Sequence, residues 1–286
     1  MQNQMQNEGG FKTNMMTNPV IKKLGKVTEE AQGGKVATYG GIGVKTVFLL
    51  LLTVLGIGLF FIVHNYFAAN SGAASTIDIP MGPENLEFYA KELPFLIIAG
   101  IFTIVTPLIA WAIRPAIPVF GSLYALSQGY LIAFMAFVYK GQYDMYVWLA
   151  LAITIVIIFV MLFLYVKRII KVTEKFNSVL KTLFFTTVLS GLGAFALSFV
   201  PIPALQNVMK SLQNNWIISL ISSIAFIVIA ALFLLSDFDA IEKTVENNLP
   251  KKYEWAAAYG LVFTVIWLYL KVLDLLIKVA GRSKSN

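Results

Sequence analysis

Long apolar runs separated by short polar segments make up the chain after residue 44. A helix needs about 20 predominantly apolar residues to cross the hydrocarbon core of a bilayer. Seven runs reach that length, which predicts an all-α, polytopic integral membrane protein with seven transmembrane helices. Pro107 lies inside the second run, where we expect a kink rather than a break. The predicted spans lie near residues 46–69, 93–113, 118–138, 145–166, 179–200, 216–235 and 255–277.

Polar segments flank this transmembrane domain, which is predicted over residues 45–278. Residues 1–44 are rich in Gln, Asn, Gly and Lys and have neither helical nor alternating periodicity, which indicates a flexible polar tail. Its glycines at residues 40–43 do not form a phosphate-binding motif, because no strand precedes them and no Lys-Ser/Thr pair follows. Residues 279–286 form a short basic C-terminal tail.

Composition supports the membrane assignment and narrows the chemistry. Hydrophobic residues make up 58% of the chain and charged residues only 13%, about half the charged share of a soluble domain. Without cysteine and with one histidine, the chain has no disulfide framework and no multi-His metal site. We expect no cofactor, no metal and no enzymatic activity. A net charge of +7 does not require a nucleic-acid partner, because basic loops beside spans give the same excess.

Basic loop residues indicate the orientation in the membrane. The N-terminal tail, the 2–3 turn with Arg114, the 4–5 loop and the 6–7 loop carry most of the Lys and Arg residues. The positive-inside rule places that side, and the N-terminus, in the cytoplasm. The expected location is the cell membrane, with the C-terminus outside. The acidic 1–2 loop, residues 70–92, is interpreted as a solvated face, with weak cation attraction as the alternative.

Charged residues in or near the spans are the functional candidates, because each costs about 2.5–3.5 kcal/mol or more at a helix centre. Asp237, Asp239 and Glu242 follow the apolar run of span six. Asp239 and Glu242 share a helical face, so Asp237 is the carboxylate best placed to point inward. Three acids at a helix C-terminus oppose the helix dipole and predict basic partners nearby.

Span seven offers a partner in Lys271, which shares a helical face with Asp274. Either span seven is enclosed by the other helices, with Lys271 paired to Asp274 and Asp237, or it ends early and Lys271 extends to the headgroups. We favour the enclosed helix. A static ion pair that only fixes helix packing accounts for these residues as well as a transport role does. His64, near the outer end of span one, indicates an interfacial hydrogen bond.

Small residues predict close contacts between helices. Gly56 and Gly58 in span one, residues 190–194 in span five, and Ser219, Ser222 and Ser223 in span six allow backbones to approach each other. These residues concern packing and do not select a substrate.

Short motifs in a fixed order connect the chain to a known family. They are TNPV at 17–20, LGK at 24–26, VKT at 44–46, LYAL at 123–126, LY at 164–165, IIKVTEKF at 169–176, DFDAIE at 237–242, EW at 254–255, YGL at 259–261 and WLYL at 267–270. This ordered set resembles the Bax inhibitor-1/YccA-like family, the transmembrane Bax-inhibitor-motif family, in its bacterial branch with an N-terminal extension.

The resemblance implies a seven-helix fold in which the last helix is central. It also implies a pH-sensitive calcium leak, suppression of cell death in eukaryotic members, and association of a bacterial relative with the membrane protease FtsH. The implied switch is a pair of carboxylates, one at the end of helix six and one in helix seven, that share a proton. Two carboxylates in contact raise one pKa, which gives such a pair its pH response.

This chain departs from the family pattern at two positions. Asp237 matches the helix-six carboxylate, but Lys271 stands where the helix-seven acid is expected, and Gln128 replaces an acid before Gly129. Both departures remove negative charge and put calcium permeation by the family's route in doubt. Asp274, one turn from Lys271, is a candidate replacement.

Two functions follow as hypotheses. The first is a pH-sensitive calcium or cation leak channel gated around Asp237, Lys271 and Asp274, with Asp239 and Arg114 as further charged groups. The alternative is a non-conducting membrane protein that binds or modulates an FtsH-like membrane protease or another membrane partner. A secondary transporter ranks lower because no repeat is evident, and an intramembrane hydrolase ranks last because no catalytic pair is recognisable. The expected partners are the lipid bilayer, calcium ions and a membrane protease, without nucleic acid.

Overall fold

The computed structural model describes residues 35–70, 86–138, 144–198 and 215–283. These described residues form seven α-helices, which confirms the all-α prediction. We call the end of the bundle where α1 begins the N-side, and the end where α7 finishes the C-side. The helices are α1 (Tyr39–Asn70), α2 (Leu86–Ala112), α3 (Ile117–Val138), α4 (Asp144–Val166), α5 (Glu174–Ser198), α6 (Trp216–Glu246) and α7 (Tyr253–Ser283).

The surface of the bundle is apolar, as a lipid environment requires. In the described part of the chain, six helices are long and apolar enough to cross a membrane, namely α1 to α4, α6 and α7. Large side chains such as Leu55, Trp148 and Phe159 are exposed on them, and water would not solvate so many. The chain is therefore a multi-pass membrane protein. The predicted fifth span corresponds to α5, which is not one of these six, and its last residues, 199–200, lie outside the described residues.

Several helix boundaries differ from the sequence prediction, and two of them lie in the predicted tails. α1 begins at Tyr39, inside the predicted tail, because residues 35–38 are held against the connection between α6 and α7. Ala37 N donates to Leu249 O at 2.8 Å, and Lys251 N donates to Lys35 O at 2.9 Å. α7 likewise continues into the predicted C-terminal tail. The tail prediction for residues 1–34 and the loop prediction for residues 71–85 lie outside the described residues.

α2 is a continuous helix that contains Pro94 and Pro107. The helix does not break at Pro107, as the sequence predicted. A 3₁₀ turn at Arg114–Ala116, with proline in its first turn, separates α2 from α3. Proline suits this position because its missing N–H would be unbonded there in any case.

The core lies around α7, which packs against α1, α3, α4 and α6. Close packing, rather than water exclusion, stabilises such contacts in a bilayer, so side-chain fit decides them. The buried side chains of α7 in this core include Ala258, Val262, Ile266, Leu268, Val272 and Leu273, and their buried neighbours include Leu49, Tyr124, Leu234 and Leu235.

α1 and α3 cross with their backbones in contact. A Cβ added at Gly56 would lie 2.1 Å from Leu126 O, and one at Gly129 would lie 1.9 Å from Thr53 O. Only glycine fits at either position, so the predicted close approach at Gly56 agrees with the structure. The neighbouring Gly58 faces open space, with no described atom within 4 Å of an added Cβ.

α6 and α7 run antiparallel in a regular register. Ser223 lies opposite Asp274, Phe226 opposite Lys271, and Asp237 opposite Gly260. Gly260 and Lys271 are eleven positions apart in the sequence, which corresponds to about 16 Å of helix. The register therefore separates Asp237, near the N-side, from Lys271, toward the C-side.

Candidate functional site

α6 ends in a backbone cap that holds the connection to α7. Asn248 N donates to Val245 O at 3.0 Å and Leu249 N donates to Thr244 O at 3.1 Å. Asn248 has a φ of 49°, the left-handed conformation that this Schellman motif requires and that asparagine tolerates. The cap fixes where α7 begins relative to α6.

α4 ends in the same motif, but with an arginine in the left-handed position. Arg168 N donates to Tyr165 O at 2.9 Å, Ile169 N donates to Leu164 O at 3.0 Å, and Arg168 has a φ of 55°. Arginine rarely adopts this conformation. Its guanidinium pairs with the Glu242 carboxylate, and this contact raises the pKa of Arg168 above its ordinary value.

Asp237 lies on α6 and faces α7. Its Oδ1 lies 3.4 Å from the position of a Cβ added at Gly260, so a bulky residue there would displace the carboxylate. The Thr264 hydroxyl, one turn further along α7, hydrogen-bonds to Asp237. Among the described residues, the buried Oδ2 of Asp237 has no hydrogen-bond partner, and none of their ion pairs includes Asp237. A buried carboxylate with an unbonded oxygen is costly, which makes Asp237 the centre of the candidate site.

Asp239 and Glu242 share another face of α6, as their spacing predicts, and both have basic partners. Lys243 Nζ donates to Asp239 Oδ2 at 2.6 Å. Glu242 accepts bonds from the Arg168 guanidinium and the Tyr165 hydroxyl. The predicted basic partners therefore exist, but they come from α6 itself and from the end of α4 rather than from α7.

Lys271 and Asp274 do not form the pair that their spacing suggested. Asp274 Oδ2 accepts from Lys278 Nζ at 2.7 Å and from Ser223 Oγ at 2.9 Å. Lys271 Nζ lies over the Phe226 ring, 5.0 Å from its centroid. A partner at i+4 satisfies a helical carboxylate as well as one at i−3 does, so sequence spacing could not decide between Lys271 and Lys278. The register also excludes contact between Lys271 and Asp237.

Arg114, the remaining sequence candidate, lies on the N-side away from Asp237. Its guanidinium lies 5.8 Å from the centroid of the Tyr253 ring, at the start of α7. Arg114 therefore contacts the helix that carries Gly260 and Thr264, but at its first residue.

Sequence reasoning missed a second buried carboxylate, Glu254, whose side chain has 0% exposure. It pairs with Lys45 of α1 and accepts a bond of 3.0 Å from Thr38 N and one of 3.3 Å from Thr38 Oγ1. Gly41 leaves the room for it, since a Cβ there would lie 2.1 Å from Glu254 Oε1. The available signals were an acid in the first turn of α7, which the helix dipole favours, and the EW motif that contains it.

A third buried acid lies on the C-side. His64 Nδ1 and Glu92 Oε1 are 2.7 Å apart, with both side chains 2% exposed. The interfacial hydrogen bond expected for His64 is therefore a buried one to α2. Glu92 does not belong to a solvated loop face, because α2 begins earlier than predicted, at Leu86, and brings Glu92 inside the bundle. Gln128, at the other family departure, is buried and donates to Thr103 Oγ1 at 2.9 Å.

The described residues contain no group of three His, Asp or Glu side chains that could hold a metal ion. Among the described residues, the site therefore offers one carboxylate with a buried oxygen that has no hydrogen-bond partner, that of Asp237. Such a group can exchange a proton, or accept a bond from water or a passing cation, when α6 and α7 separate.

Comparison with known proteins identifies the family. No curated protein and no solved structure matches the chain significantly. The family described as Bax inhibitor 1 like matches residues 18–281, which is nearly the whole chain, and the protein therefore belongs to the Bax inhibitor 1 like family of membrane proteins.

Proposed function

We propose that this protein is a pH-sensitive calcium or cation leak channel with seven spans, in which α7 is central and the contact of α6 with α7 around Asp237 is the gate. In this proposal the N-side faces the cytoplasm and α5 is the remaining span. The protein acts on ions and carries no catalytic chemistry.

The observation that supports the proposal most is the incomplete bonding of the Asp237 carboxylate. Its Oδ2 has no partner among the described residues, and Gly260 and Thr264 of α7 lie directly opposite. When it carries a proton, the group is neutral and suits a closed, dry contact. When it is ionised, it requires water or a cation, and that requirement favours separation of the two helices.

The other sequence candidates have different parts in this proposal. Asp239 is held by Lys243 and Arg114 lies against Tyr253, so both stabilise the N-side frame of the gate. Asp274, paired with Lys278, and Lys271 lie in the C-side half, where Lys271 gives a permeating cation a repulsive charge. We therefore expect a weak leak in which Lys271 limits cation flow and Asp237 sets the pH response.

The test is calcium flux into liposomes that contain the purified protein, measured from acidic to mildly alkaline pH. Asp237→Asn keeps the shape of the side chain and removes its charge, so it should abolish the pH dependence. Asp239→Asn is the matched control at a carboxylate of α6 that Lys243 holds, and it should keep the pH dependence. Lys271→Met should increase the flux without changing its pH profile. A wild-type protein with pH-dependent flux that Asp237→Asn leaves unchanged would rule the gate out.

The alternative is a non-conducting protein that modulates an FtsH-like membrane protease. The positive charge of Lys271, which lies over the Phe226 ring and has no carboxylate partner among the described residues, favours it, because such a charge opposes cation passage. Reconstitution with the protease and a model substrate tests it, with substrate degradation as the readout. A silent flux assay combined with a changed degradation rate would support this function over the leak.

A further inference from the structure

Among the described residues, an opening lies between α5 and the α6–α7 pair on the C-side. α5 and α6 are antiparallel and in contact near the N-side, where Ser236 donates to Asn177 at 2.8 Å and the Phe184 and Phe233 rings are 5.9 Å apart. The same register places Gly191 of α5 at the level of Phe226. An added Cβ at Gly191 meets no described atom within 4 Å, so no described side chain fills the space on that side of α5.

One side of this opening carries a positive charge that has no carboxylate partner among the described residues. Lys271 is half-buried, and among the described residues its ammonium contacts the Phe226 ring. The nearest acid along α7, Asp274, is neutralised by Lys278. An ammonium in the apolar layer needs an anion or water, because a lone charge at a helix centre costs about 2.5–3.5 kcal/mol.

The rest of this side is aromatic and leads toward the membrane centre. Trp267 lies one turn before Lys271 and its ring is 5.9 Å from that of Phe233. Phe226, Phe233, Trp267 and Lys271 are each half-buried, so together they form a strip that is apolar along most of its length and cationic at its C-side end.

We propose that this opening binds a long-chain fatty acid, with the carboxylate on Lys271 and the acyl chain along Phe226, Phe233 and Trp267. The charge of Lys271 complements a carboxylate, and the aromatic strip complements a hydrocarbon chain. Lys271 is ten positions before Gly281, the C-side end of the span, which is about 15 Å of helix. A phospholipid phosphate stays in the headgroup layer, whereas a fatty acid can enter the apolar layer as the uncharged acid.

Trp267 provides the readout. The full-length protein in phosphatidylcholine vesicles is titrated with a brominated stearic acid, whose bromine atoms quench nearby indole fluorescence. Saturable quenching is expected, and Trp267→Phe should remove it. Lys271→Met, similar in length and uncharged, should weaken binding about tenfold or more, as loss of roughly 1.4 kcal/mol does. Lys271→Arg should retain it, and so should Lys181→Met, which changes an exposed lysine of α5.

A second variant tests the opening independently of the charge. Gly191→Phe should fill the space and block binding, whereas Gly58→Phe, at a glycine that also faces open space on α1, should not. Each variant is first compared with wild type in thermal unfolding. The proposal is overturned if the brominated methyl ester quenches wild type as strongly and saturably as the acid does, or if the acid quenches Lys271→Met as it quenches wild type, because binding would then depend on apolar contacts alone. Saturation by brominated phosphatidylglycerol but not by the fatty acid would overturn it in favour of a phospholipid.

Discussion

Two buried carboxylates lie near the N-side end of α7, and their surroundings differ. Glu254, at the contact of α1 with α7, has Lys45 and two donors from Thr38. Asp237, at the contact of α6 with α7, has Thr264 and an oxygen without a described partner. A fully bonded charge resists change and fixes structure, whereas an incompletely bonded one can change its protonation or its partner. We therefore assign a structural part to Glu254 and the functional part to Asp237.

The largest expected effect comes from removal of the cation that pairs with Glu254. Lys45→Met leaves a buried carboxylate with only the Thr38 bonds, and loss of one partner of a buried pair costs about 3 kcal/mol. We expect a clear decrease in the unfolding temperature of the protein in detergent micelles.

The matched variant on the other side of the comparison is Asp237→Asn. No described cation pairs with Asp237, so its loss leaves no unpaired charge behind, and the unfolding temperature should change much less than in Lys45→Met. The double variant Lys45→Met/Glu254→Gln should recover part of the stability. Equal losses in Asp237→Asn and Lys45→Met would show that the two sites do not differ as proposed.

A smaller loss of stability is expected when a larger residue at position 41 fills the space that the Glu254 side chain occupies. The Cβ of Gly41→Ala would lie 2.1 Å from Glu254 Oε1, which forces the carboxylate off Thr38 and Lys45. Overpacking of this kind costs about 1–3 kcal/mol. Gly43→Ala is the control, because its added Cβ meets no described atom within 4 Å and alanine favours the helix. Thermal unfolding should show opposite signs for the two variants.

The sequence predicted the parts of this comparison that depend on local spacing. Helical periodicity alone places Asp237 on a different face of α6 from Asp239 and Glu242. It could not join Glu254 to Lys45, which are 209 positions apart, because only tertiary packing brings them together. Gly41 falls in the predicted tail for the same reason. The side chain that requires a glycine at this position, Glu254, lies on α7.

The positions of Lys271 and Glu92 show two further limits. For Lys271, the helix-seven position inferred from the WLYL motif implied contact with Asp237, but the register of α6 with α7 places Gly260 and Thr264 there. For Glu92, the predicted start of the second span near residue 93 lies after the observed start of α2 at Leu86. The prediction therefore placed a buried residue in a loop. Spans can be read from hydropathy, whereas register and helix ends depend on packing between helices.

A modest effect on stability and a specific effect on flux are expected at Thr264. Thr264→Val keeps the shape and removes the hydroxyl that bonds Asp237, and an unbonded buried group costs about 1–3 kcal/mol. The pH profile of calcium flux should shift, because the ionised carboxylate loses its donor. Thr264→Ser should restore both stability and profile. If Val and Ser behave alike in the flux assay, the hydroxyl has no part in the gate.

The smallest effect is expected at Glu242, an acid of α6 whose cationic partner, Arg168, is exposed. Arg168→Gly relieves the left-handed backbone, which favours glycine, and at the same time removes the ion pair with Glu242. The two contributions oppose each other, so the unfolding temperature should change little at low salt. Salt screens exposed pairs, so at high salt the variant should become the more stable protein. Arg168→Lys, which keeps both charge and backbone strain, should show no such gain. An equal decrease in unfolding temperature at both salt concentrations would mean that Glu242, like Glu254, depends on its cation for structure. Burial alone would then not separate the structural carboxylates from those that can change their protonation or partner.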